Sequence, residues 1–159
     1  NFKKIDAIRY LKNNNKKFDL ILIKQTIHFF NFREIKKLIS ICKTKLKKDG
    51  KIMIFTLEVL KNEIPTFLLM KKRLKISLNR DRKIITFLSK LYPSIKKRKF
   101  SFKVKISIRK YIEMINNRYI STLLNMNKNQ ILKGIDEINY KYRKVLIFND
   151  KLICLIFNK

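Results

Sequence analysis

The apolar and polar positions of this chain change period several times, and each change marks an element. Asn13–Lys17 is a polar turn, and Phe18-Asp19-Leu20-Ile21-Leu22-Ile23 after it is an almost unbroken apolar run bounded by charge. Such a run fits a strand buried on both faces. From Phe32 the apolar positions recur every three or four residues, at Phe32, Ile35, Leu38, Ile39, Cys42 and Leu46, with lysines between them. This spacing predicts an amphipathic helix with Asn31 as its N-cap. Gly50, in Lys48-Asp49-Gly50-Lys51, is expected to stop that helix by adopting the left-handed conformation, and Ile52–Leu57 reads as a second buried strand. Strand, helix and strand make a βαβ unit. Its right-handed crossover implies parallel strands in an α/β sheet whose ligand face lies beyond their carboxyl ends, where residues 24–30 and 58–63 fall.

The next stretch carries apolar residues at helical spacing through two segments, and predicts helices near 64–78 and 80–91 before Tyr92-Pro93. Strict alternation of Phe100, Phe102, Val104 and Ile106 with Ser101, Lys103, Lys105 and Ser107 predicts a half-buried strand. A helix follows near 109–116. Asn127 caps another, in which Ile131, Ile135 and Ile138 line one face and Gly134 permits close packing. Val145–Phe148 and Leu152–Phe157, separated by Asn149-Asp150-Lys151, predict a hairpin with a three-residue loop.

Composition changes this picture little. The 159 residues carry 40 Lys+Arg against 11 Asp+Glu, a net charge of +29 of the kind met in nucleic-acid-binding and membrane-surface proteins. Lys and Asn on surfaces and Ile in cores are also what A/T-rich codons supply whatever the function, so the charge alone identifies no partner. No apolar run approaches the roughly 20 residues that cross a bilayer. Cys42 and Cys154, far apart among apolar neighbours, suit reduced buried thiols in a cytoplasmic protein. One histidine and two distant cysteines exclude the usual zinc sites, and no phosphate-binding glycine loop is present.

Three segments together resemble class I S-adenosylmethionine-dependent methyltransferases of the small-molecule type. Phe18-Asp19 followed by four apolar residues, Lys24-Gln25-Thr26 and then His28 beside Phe29-Phe30 is similar to that family's fourth strand and the loop after it. Leu46-Lys47-Lys48-Asp49-Gly50 looks like the turn into its fifth strand, with Asp49 where the first glycine would stand. Asp6-Ala7 looks like the acidic residue and alanine of the loop after the third strand. The resemblance implies a partial Rossmann-like α/β sheet with a helical cap insertion, about 64–95 and 109–140, and antiparallel C-terminal strands. The Gly-rich loop and the ribose-binding acid of the family have no counterpart here. The chain, which opens on Asn1, is therefore expected to be one N-terminally incomplete methyltransferase domain over residues 1–159, inactive alone, its incomplete sheet prone to self-association.

By the same resemblance S-adenosylmethionine is the cofactor, with Asp6, Ala7, Lys24 and Gln25 as cofactor-binding residues. A small molecule is the methyl acceptor. Its candidate contacts are His28, Glu58, Tyr111, Arg118 and Tyr119, with His28 also the candidate proton acceptor, since an imidazole titrates near ~6.5. Arg118 would pair with an acidic group of that substrate. The other reading is a basic nucleic-acid-binding module, or a nucleic-acid methyltransferase, using Lys71-Lys72-Arg73-Lys75 and Lys96-Lys97-Arg98-Lys99 on phosphates.

Overall fold

A computed structural model describes residues 4–159. The elements are α1 (Ala7–Lys12), β1 (Phe18–Lys24), α2 (Phe32–Thr44), β2 (Leu46–Leu57), α3 (Leu68–Leu91), β3 (Lys96–Ser107), α4 (Ile108–Asn116), α5 (Lys128–Lys141) and β4 (Val145–Asn158), with short 3-10 turns at Ile27–Phe29 and Ser121–Leu123. The strands form one mixed sheet in the order β1-β2-β4-β3, an α/β architecture as expected. By compactness the described residues divide into two units, 4–57, 83–99 and 152–159 in the first and 58–82 and 100–151 in the second. Of the segments expected as a helical insertion, 64–82 and 109–140 belong to the second unit and 83–95 to the first.

In the first unit β1 and β2 pair in parallel through the α2 crossover, with Leu20 opposite Lys51 and Lys24 opposite Phe55. Asn31 and Glu34 close a reciprocal capping box on α2, which satisfies two of the amides that the first turn leaves without partners. The face of α2 carrying Ile35, Leu38, Ile39 and Cys42 is buried. Burial pushes the Cys42 thiol up to about 11, so it stays protonated and inert. The far half of β4 runs antiparallel to β2, from Leu152 opposite Leu57 to Asn158 opposite Lys51.

Three local expectations are corrected. Gly50 lies inside β2 and has no positive φ. A Cβ there would sit 2.8 Å from the Phe18 carbonyl oxygen, so glycine is required by close approach, at the register shift between Phe18 and Leu20. The helices expected near 64–78 and 80–91 are one helix, α3, which continues through Asn79-Arg80. The expected hairpin is one strand, β4, because Asn149-Asp150-Lys151 does not turn. Glu63 holds that triplet extended: its carboxylate accepts from the Asn149 amide (3.0 Å), the Asn149 side chain (2.8 Å) and Lys151 Nζ. Those bonds draw the Glu63 carboxyl down to about 2.

The second unit packs Phe67, Met70, Tyr111, Ile115, Leu123, Ile131, Ile138 and Leu146 into one core. Gly134 of α5 faces the Phe67 ring, and a Cβ there would come within 2.6 Å of it. Alanine in a helix interior is favoured over glycine by about 1 kcal/mol, whereas overpacking costs about 1–3 kcal/mol. Phe67 is buried in the core, so its ring can withdraw only by displacing core neighbours. Gly134→Ala is therefore expected to lower the urea unfolding midpoint, the reverse of what propensity gives.

Asp81 of α3 is buried, and burial pushes its carboxyl up to about 6, against a smaller downward pull from the Arg80 charge. The unfolded carboxyl titrates near ~3.9. The native state thus binds the proton more tightly, and stability is full below about pH 4 and declines as pH rises through about 6. Asp81→Asn is expected to raise the urea midpoint at about pH 7 and to leave it unchanged at about pH 4.

Candidate functional site

The first unit carries a depression of about 570 Å³ beside β1. Its lining joins Asp6 and Ala7, from the start of α1, to Leu20 and Leu22 of β1 and to Thr26, Phe29 and Phe30 beyond the strand's carboxyl end. The position follows from strand polarity. The Gln25 amide donates to the Phe55 carbonyl (2.8 Å), so the alternate residues Ile21 and Ile23 turn their backbone groups to β2. Leu20, Leu22 and Lys24 turn theirs to the outer edge, where no described strand pairs with them, and both leucine side chains are about half-exposed.

Asp6 is the N-cap of α1, one carboxylate oxygen accepting from the Arg9 amide at 2.7 Å. Its other oxygen makes no hydrogen bond among the described residues. An apolar slot with one carboxylate oxygen at its rim suits a flat heterocycle bearing an N–H donor. Lys24 is exposed at the end of β1 and does not line the depression. Gln25 follows with φ 52°. A left-handed conformation costs a residue with a Cβ about 1–2 kcal/mol, and it bends the chain sharply out of the sheet into the turn that carries His28. His28 is buried, with its ring 4.5 Å from that of Phe29. The sequence places residues 24–30 on the ligand face but assigns Thr26, Phe29 and Phe30 no individual role, and all three line the depression. Phe29-Phe30 was legible as an aromatic pair, but its facing is set by the 3-10 turn.

The remaining candidates lie in the second unit. Glu58 is buried at the end of β2, its amide donating to the Lys151 carbonyl (2.8 Å) and its carboxylate accepting from the Leu60 amide (3.2 Å). Tyr111 is also buried. Its hydroxyl donates to the Pro65 carbonyl (2.5 Å) and lies 2.9 Å from that of Tyr119. Burial raises both phenols, Tyr119 to about 12, so each is neutral at ordinary pH. Arg118, with φ 49°, donates through one terminal nitrogen to the Met126 carbonyl (3.0 Å). The structure thus brings Tyr111, Tyr119 and the loop at Pro65 together. Tyr119, 37% exposed, is the member of that group open to solvent.

No protein-family model matches the chain, and no curated protein matches it. Solved structures do. A protein assigned as a methyltransferase of an antibiotic-biosynthesis pathway in Anabaena variabilis superposes with a TM-score of 0.53 at 14% identity, over 91% of this chain and 70% of its own. A SAM-dependent methyltransferase from Archaeoglobus fulgidus gives 0.47 at 21% identity, over 99% and 66%. The precorrin 8W decarboxylase of Methanobacterium thermoautotrophicum gives 0.42 at 14%, over 97% and 52%. The chain thus spans between about half and seven tenths of the length of these proteins.

Removing the Tyr111 hydroxyl would strand the Pro65 carbonyl and the Tyr119 hydroxyl, and an unmade buried hydrogen bond costs about 1–3 kcal/mol. Tyr111→Phe is expected to lower the urea midpoint correspondingly, and Tyr119→Phe, at the exposed end of the pair, to lower it less. Of these three likenesses the Anabaena one is strong enough to argue from, and at its identity it speaks of architecture alone: the chain shares the α/β fold of that methyltransferase.

Proposed function

We propose that this chain serves an S-adenosylmethionine-dependent methyltransferase acting on a small molecule, contributing to both the cofactor site and the acceptor site. The observation that carries the reading is the depression beside β1, with Asp6 and Ala7 at its rim, in a sheet of methyltransferase fold. Asp6 would accept from the adenine amine through its uncommitted oxygen, and the apolar wall of Leu20, Leu22, Phe29 and Phe30 would cover the ring. Lys24 and Gln25 would follow the cofactor from the end of β1. When bound, the cofactor supplies an electrophilic methyl on sulfur. The chain's part is then to position the acceptor and exclude water, which supplies most of the rate when the nucleophile is already deprotonated. His28 is the group assigned to take a proton where it is not, or otherwise to wall the acceptor. Glu58, Tyr111, Arg118 and Tyr119 are the second unit's assignments toward the acceptor, Tyr119 foremost by its exposure.

Two further points belong to this reading. Gly50 lies in a strand and Gly134 in a helix, so no described loop lets backbone approach the methionine arm of the cofactor as closely as glycine does. The isolated chain is expected to hold the adenine end weakly and to transfer no methyl. The open edge of β1, with its exposed leucines, is the surface through which copies would self-associate.

Calorimetric titration with S-adenosylhomocysteine and with adenosine tests the reading. Both ligands are expected to bind this chain weakly and alike, since both carry the adenine. Asp6→Ser keeps a capping oxygen but shortens the reach, and is expected to abolish binding with α1 intact by circular dichroism. Unchanged affinity in Asp6→Ser, or binding of neither ligand beside tight salt-dependent binding of RNA, would replace this reading with the nucleic-acid one.

A further inference from the structure

In the second unit one face of the sheet leaves apolar and basic side chains side by side in solvent. Leu146 belongs to the core, and Phe148 and Ile106 pack against it. Side chains alternate along a strand, so Val145 and Ile147 of β4 and Lys103 and Lys105 of β3 point the other way. As β3 and β4 are neighbours in the sheet, the four share one outer face with Ser101. Val145 is 44% exposed and Ile147 61%, and the lysines and Ser101 are exposed. The one carboxylate shown to reach this face of β4, Glu63, does so further along, at Asn149 and Lys151, where its charge is met by Lys151. Lysines on an edge strand discourage edge pairing, which accounts for Lys103 and Lys105 and leaves the two branched apolar side chains in water unexplained.

We propose that this face docks peripherally on an anionic lipid surface, with Val145 and Ile147 entering the headgroup boundary and Lys103 and Lys105 meeting lipid phosphates. Charge complementarity selects an anionic partner. The apolar pair selects a bilayer over a nucleic acid, because by alternation the aromatics of β3, Phe100 and Phe102, lie on the opposite face, and the outer face has no ring on which a base would stack. Among the described residues no helix is long and apolar enough to cross a membrane, and the docking proposed is through this face alone. This inference is independent of the methyl-transfer reading, and its readout involves no cofactor.

The test is co-sedimentation with phosphatidylcholine vesicles, plain or containing about one third phosphatidylserine. The chain is expected to bind the anionic vesicles, more weakly as salt rises, and not the plain ones. Each lysine near an anionic surface contributes about fivefold in partition, so Lys103→Gln with Lys105→Gln should lower it roughly twenty-five-fold. Ile147→Ser should lower it about tenfold. Lys128→Gln with Lys133→Gln, exposed on α5, should change it little. All replaced side chains face water, so circular dichroism and the urea midpoint report an intact fold. The proposal is overturned if plain and anionic vesicles bind alike, or if the α5 pair matters as much as the β3 pair. It is also overturned if Ile147→Ser binds as the parent does, or if polyuridylate displaces the chain from vesicles with a dependence on the lysines alone.

Discussion

Among the described residues strand β1 is held from one side only, and the first unit is arranged around that fact. A parallel strand turns every second peptide toward each neighbour. With β2 on one flank and an open flank on the other, half of the polar groups of Leu20–Lys24 are satisfied in the sheet and half reach solvent. The leucine side chains gain less, since the same flank leaves them half in water. The slot that α1, β1 and the turn after it line is thus an apolar recess at an edge of the sheet. The leucines that wall the slot are the same ones that border the open edge of the sheet.

The second unit is organised by polar contacts. Glu63 draws the segment after β2 onto β4 through three donors, and the Tyr111 hydroxyl ties the same segment at Pro65 to the Tyr119 region. Glu63 is partly exposed and contributes mainly by fixing geometry. Tyr111 is buried, so its bonds form where water does not compete.

Much of this was legible in the sequence wherever the determinants are local. The capping boxes at Asn31 and Asn127 are written within four residues. The βαβ unit is written in the switch of hydrophobic period at Phe32, and the pairing of Asp6-Ala7 with β1 in family spacing. Reading failed where a distant residue decides. Asn149-Asp150-Lys151 has the composition of a turn and is a strand because Glu63, some 86 positions away, supplies its partners. Asn79-Arg80 has the look of a boundary, yet lacks the proline or glycine that would break α3. Gly50 suggested a positive φ, and the need it meets is room for the Phe18 carbonyl across the sheet. The aromatic wall at Phe29 and Phe30 depends on the direction a 3-10 turn takes after the bend at Gln25, which periodicity does not encode.

The tyrosine pair fixes the direction of a proton chain. A carbonyl only accepts, so the single proton of the Tyr111 hydroxyl is committed to Pro65. The bond between the two phenols then has one possible sense: Tyr119 gives its proton to Tyr111. What Tyr119 presents to its surroundings is therefore lone pairs without a hydrogen. Anything that meets this oxygen must bring its own proton, so an amine, an amide or a hydroxyl is received there, while a carboxylate, an ether or a tertiary amine without a proton is turned away.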